Sequence, residues 1–159
     1  MIQILFLLGF SLHNIEEALW LPGWSESAGR FHKKVTPNEF YFAVIVVTIA
    51  GYLFTFQYFI LACSSIAAIS KYVYHGFILM MVLNAFIPHV AATIALKRYA
   101  PGTITAILLN APIGIYILLQ ELQTKSDILY TAIAGVGVTI VVLLLIEACF
   151  KFGKKFDRK

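Results

Sequence analysis

Apolar residues along the chain gather into five runs, each closed by a polar, basic or Pro/Gly-containing break. A helix crossing a bilayer needs about 20 mainly apolar residues at 1.5 Å per residue. The pattern predicts spans at 2–21, 40–62, 72–96, 103–119 and 128–150, forming a single transmembrane helical domain over 1–150 with a basic tail at 151–159. The first run opens Ile-Leu-Phe-Leu-Leu-Gly-Phe and closes on Trp20 and Pro22. A cleaved leader is the competing possibility. The run has no positive stretch ahead of it and continues straight into Glu16 and Glu17, which favours a retained span.

Gly23 to Val35, with Arg30, His32, Lys33 and Lys34, reads as a surface loop. Thr36-Pro37-Asn38-Glu39 reads as a helix start: Thr36 caps, Pro37 suits the first turn, and Glu39 completes a Thr-x-x-Glu capping box. The second run is rich in β-branched residues, which suit a strand in water but are tolerated in a spanning helix. Cys63 to Lys71 is a short turn. The third span carries Asn84, Pro88 and His89 and closes on Lys97-Arg98-Tyr99; Ala100-Pro101-Gly102 then breaks the chain. The fourth carries Asn110 and Pro112, and Glu121 to Ser126 is a turn. Asp127 is the expected cap of the fifth span, which holds Glu147 near its far end.

Composition confirms the class. Hydrophobic residues make up 60% of the chain and charged residues 13%, against about 45–50% apolar in soluble domains. This predicts an all-α, polytopic membrane bundle with membrane lipid as partner and no nucleic acid. Two cysteines give no disulfide framework. One side of a five-span topology owns Arg30, Lys33, Lys34, Lys97, Arg98, Lys151, Lys154, Lys155, Arg158 and Lys159; the other owns Lys71 and Lys125. The positive-inside rule then puts the N-terminus outside and the C-terminus inside, in the cell's inner (cytoplasmic) membrane. Cys63 and Cys149 fall on opposite faces, too far apart to bridge.

One turn of the first span breaks the apolar pattern. His13-Asn14-Ile15-Glu16-Glu17 puts one imidazole and two carboxylates at membrane depth, where each ionisable group costs about 2.5–3.5 kcal/mol on insertion scales. On a helix His13 lies one turn from both Glu16 and Glu17. His13 stands eight residues before Leu21, and His89 eight before Lys97, so both lie about 12 Å from the inner ends of their spans. Asn110, eight residues after Gly102, reaches the same layer. Pro88 cannot donate to the Asn84 carbonyl, nor Pro112 to that of Leu108, which loosens backbone beside the layer. Zinc favours His plus carboxylate, so His13, Glu17 and His89 are the expected ligands, with Glu16 as base or outer partner.

Against this stand plainer expectations. A lone His89 fits an interhelical hydrogen bond. His75, near the outer end of its span, and His32, in the basic loop, are expected to be solvated, and Glu147 to be interfacial. Lys97 to Thr103 sets cations beside a helix N-terminus, which suits a lipid phosphate or carboxylate, or simply marks the inner interface.

The same residues resemble a family, the bacterial membrane proteins named for an HXXEE motif. The resemblance rests on His13 to Glu17, on Asn84 followed by His89 in a later span, and on the Lys/Arg-Tyr stretch leading into Pro101-Gly102, covering about Leu12 to Ala106. It implies a membrane protein with a domain of unknown function and supplies no activity. The residue chemistry predicts a metal-dependent enzyme, a hydrolase of a lipid or small amphiphile. In it His13, Glu17 and His89 hold a divalent metal, zinc first, and Glu16 acts as base. Asn84 orients the substrate, and Arg98, Tyr99 and Asn110 bind it. The alternatives are an ion or proton pathway using the same carboxylates, and a non-catalytic adaptor whose basic tail meets partners or anionic lipid. The outer half offers few polar groups, Ser11, Thr55 and Gln57, which favours the enzyme over the pathway.

Overall fold

The computed structural model describes residues 1–29 and 31–155, and these are helical without strands. Arg30, Arg158 and Lys159, counted above among the cations, lie outside the described residues, as does the tail from 156. Five helices are long and apolar enough to cross a membrane: α1 (Ile2–Ser25), α2 (Pro37–Ile60), α3 (Ala67–Leu96), α4 (Thr103–Glu121) and α5 (Lys125–Gly153). They match the five predicted runs and differ at the ends. α1 continues past 21 through Pro22, because a proline withholds only its own N–H. The Ser25 hydroxyl donates to the Pro22 carbonyl (2.7 Å) and accepts from the Val35 N–H (3.2 Å), tying the loop back to the helix.

The caps follow from short polar motifs. At α2 the Thr36 hydroxyl accepts from the Glu39 N–H (3.2 Å) and the Glu39 carboxylate from the Thr36 N–H (2.8 Å). Lys154 lies 3.7 Å from the other Glu39 oxygen, joining the end of α5 to the start of α2. At α5 the expected cap is displaced. Thr124 is the cap, in extended conformation, and Asp127 is its partner three residues on: the Asp127 N–H donates to the Thr124 hydroxyl (3.0 Å), and the Thr124 N–H to Asp127 (3.1 Å). Thr124→Ala is therefore expected to cost about 1 kcal/mol, read as a lowered melting temperature in detergent; an unchanged melting curve would show the cap contributes nothing.

The helices pack in the circuit α1, α2, α5, α3, α4 and back to α1, with α2 also touching α3. Aromatic rings fill the centre: Phe77 meets Phe6 and Phe10 edge to face at 5.9 and 5.2 Å, and Phe54 at 5.4 Å. Glycine admits them, since a Cβ on Gly51 would overlap the Phe10 ring. α3 and α5 run parallel, shown by contacts that advance together along both, Lys71 with Asp127 and Gly76 with Ala134 and Gly135. Large apolar residues such as Leu8, Leu12 and Leu19 on α1 and Ile133, Val136 and Ile140 on α5 point outward.

Two helices depart from α geometry near the prolines. α3 is kinked over Ala85–Val90, where Ile87 is extended (φ −130°, ψ 112°) just before Pro88. α4 widens to a π turn over Ala106–Asn110, ahead of Pro112. A proline N cannot donate, so the helix ladder loosens where it would have bonded.

Candidate metal centre

α1 carries His13, Glu16 and Glu17 near its middle, and the kink in α3 turns His89 to meet them. The imidazoles of His13 and His89 stand edge to face, 4.9 Å between ring centres. Glu17 lies between their Nε2 atoms, 3.8 Å from that of His13 and 3.4 Å from that of His89. One ligand atom from each of the three lies within 4.8 Å of the others. Tetrahedral zinc with bonds of about 2.0–2.2 Å holds its ligand atoms about 3.4 Å apart, so modest closure brings these three onto one ion. Both imidazoles are buried, and Glu17 is largely so.

The pivot of the site is Gly102, in the turn before α4. Its φ of +88° is left-handed, and a Cβ there would lie 2.6 Å from His89 Cε1 and 2.7 Å from His13 Cε1. Its carbonyl accepts from His13 Nδ1 (3.1 Å). A carbonyl only accepts, so this bond puts the imidazole proton on Nδ1 and leaves the Nε2 lone pair facing Glu17. Such an outer partner is the usual companion of a metal-ligating histidine. The Gly102 N–H donates to Glu16 (2.8 Å).

Glu16 is consequently not a free carboxylate. Besides Gly102, the Thr105 N–H (3.1 Å) and the Thr105 hydroxyl (2.6 Å) donate to it. These three donated bonds take up the carboxylate oxygens and hold them against the turn. The carboxylate of Glu16, from α1, thus meets the main-chain N–H groups at the start of α4. In this way Glu16 clamps the 102–105 turn to α1.

The other predicted residues divide. The Asn84 amide is 3.0 Å from His89 Nε2, so it borders the centre. Arg98 turns away: its guanidinium donates to the Ser27 hydroxyl (2.7 Å) and the Trp24 carbonyl (3.3 Å) and stacks over the Trp24 ring at 5.4 Å. Tyr99 lies on the outer side of the same turn, partly exposed. Asn110 is fully buried beside Gly9, one turn of α1 before His13, and its amide has no protein partner. Depth alone placed it in the His13 layer; the π turn and the facing of α4 set it below.

His75 was expected to be solvated and is instead fully buried, with both ring nitrogens unpartnered. It stacks loosely with Tyr58 and Tyr74, and the hydroxyls of Tyr74 and Thr131 are likewise buried without partners. A single histidine in a run carries no sign of which face it takes. His32 is partly buried against Trp24 (6.5 Å), and burial pushes its pKa below the ordinary value despite the Lys33 carbonyl beside it. Glu147 is exposed and pairs with Lys151 at 3.6 Å. Cys63 and Cys149 are free thiols.

Residues 4–117 match a family model described as a protein of unknown function with HXXEE motif. The chain is 43% identical over 155 residues to an uncharacterized protein of Bacillus subtilis (strain 168), YrkK, with 94% of each chain covered. No solved structure matches it.

Proposed function

Because the chain belongs to the family of unknown function with the HXXEE motif, and because that motif's histidine and second glutamate meet a second buried histidine, we propose a membrane-embedded, metal-dependent enzyme. Its reaction is hydrolysis of a lipid or small amphiphile. The observation that carries this is the convergence of His13 Nε2, Glu17 and His89 Nε2, with the His13 proton already held on the far nitrogen. Zinc fits the donor set best, and three protein ligands leave a position open, where the ion would act as a Lewis acid on a carbonyl or phosphoryl oxygen. Asn84, beside His89 Nε2, then orients the substrate, and Glu17 serves both the metal and the proton. Elemental analysis of protein purified without a histidine tag or chelator tests this. One zinc per chain is expected, and none would sink the enzyme.

The orientation proposed is N-terminus outside and C-terminus inside, in the inner membrane. It rests on the cations at the Trp24–Val35, 97–102 and C-terminal ends. Cysteines at exposed Ser126 and exposed Lys155, in a chain whose two native cysteines are replaced, should label from outside and inside respectively. Lys155 is the better inner position, because any side chain at Gly153 would strike Glu39, at 2.6 Å from its Cα. The reverse labelling would invert the depth assignments.

A proton pathway is the second reading. The buried His75, Tyr74 and Thr131 favour it, since they put unpartnered polar groups in the half of the bundle that the sequence had left nearly bare. Proteoliposomes with a trapped pH dye separate the two: flux that falls with His75→Phe while metal stays bound would support the pathway.

A further inference from the structure

A groove of about 440 Å³ lies against the outer side of the Pro101–Gly102 turn, lined by Trp20, Trp24, Tyr99 and Pro101. Pro101 gives the turn a share in that lining, and the next residue, Gly102, lies against both imidazoles. The lining is almost wholly aromatic and apolar, and Trp20 and Tyr99 are open to the surroundings. At the level of the end of α1 this suits a membrane interface, where indole and phenol rings meet both chains and headgroups.

Charge selects the occupant. Arg98 stands over Trp24 at the rim, and two donated bonds leave other guanidinium N–H groups unspent. Lys97 is exposed next to it. The Trp24 indole N–H is buried with no acceptor among the described residues. Among the acidic groups of these elements, Glu16 is bound by the 102–105 donors, Glu17 faces the imidazoles, and Glu26 lines a separate groove with Lys34 and Lys154. A cationic rim, an orphan donor and an aromatic trough call for an amphiphile whose anionic group has spare acceptor oxygens and whose chains lie along the rings.

We propose that this groove binds an anionic phospholipid of the adjoining leaflet, with its phosphate at Arg98 and its chains across Trp20 and Tyr99. The proposal rests on the enzyme reading and names its substrate class: a lipid seated here presents its ester region to the turn that covers the histidines.

The two groove tryptophans are the chain's only ones, so selectively excited tryptophan fluorescence reports this place alone. Protein in phosphatidylcholine vesicles is titrated with brominated phosphatidylglycerol or, separately, brominated phosphatidylcholine of the same chains. The anionic lipid is expected to quench at least about twofold more strongly at equal bromine content, saturating at low mole fraction. Arg98→Gln should bring the two curves together while zinc content stays at the wild-type level. Inorganic phosphate at millimolar concentration should leave the preference intact. Equal quenching by the two lipids in wild type overturns the proposal, as does displacement by phosphate, which would mean a soluble anion site. Zinc is measured on the same samples, so selectivity without metal overturns only the enzyme reading, and metal without selectivity only the lipid.

Discussion

Alanine at His13, Glu17 or His89 is expected to reduce zinc from one per chain to near none, a larger loss than the roughly 10- to 100-fold that removal of an outer partner costs. Among the described residues each offers one of three ligand atoms that lie within 4.8 Å of one another, and three is close to the minimum for zinc. Melting temperature gives an independent check. A ligand bound only by the folded state at 100 times its dissociation constant stabilises by about 2.7 kcal/mol. Chelator should therefore lower the wild-type melting temperature and leave His89→Ala unmoved. Glu16→Gln should behave differently: it keeps the three ligands and weakens the turn they lean on, so zinc should bind, more weakly. Retention of full affinity by any of the three alanine variants would remove that residue from the ligand set.

Gly102→Ala should be nearly as damaging, although residue 102 has no side chain to contribute. Left-handed backbone costs a non-glycine residue about 1–2 kcal/mol. The added methyl would also stand 2.6 and 2.7 Å from the two imidazoles, closer than carbon atoms can approach. Buried rings held by Gly102, Thr105 and Asn84 have little room to yield. The expected result is loss of zinc together with a lowered melting temperature. Gly23→Ala is the control: open space surrounds that helical position, so it should keep its zinc and raise the melting temperature slightly if at all.

Much of this was legible along the chain. Run lengths gave the five helices, and Thr36-Pro37-Asn38-Glu39 gave the start of α2, because both signals are local. His13 and Glu17 share a face by helical spacing, and equal distances from the span ends brought His89 to the same depth. The start of α5 was misplaced although its signal, Thr124-x-x-Asp127, is the same kind of box as at Thr36. The partners of Glu16 were not legible: they are two main-chain N–H groups and the Thr105 hydroxyl, 86 and 89 residues away, and a peptide N–H has no identity in a sequence. The face taken by His75 and the position of Asn110 depend on helix rotation. The kink at Ile87 and the π turn before Pro112 alter that rotation, and periodicity does not record it.

The bond from Glu16 to the 102–105 turn also orders events during synthesis. In a chain inserted as proposed, α1 is made first and carries two carboxylates whose burial in lipid costs about 2.5–3.5 kcal/mol each. The donors that offset Glu16, and the histidine that faces Glu17, belong to residues 89 to 105. Until ribosomes have delivered the turn after α3, the first helix lacks its polar partners and is best kept beside water or an insertion factor. Nascent chains arrested before Gly102 should therefore leave a cysteine at Ile15, on the outward face of α1, open to a water-soluble thiol reagent, and chains arrested after Glu121 should protect it.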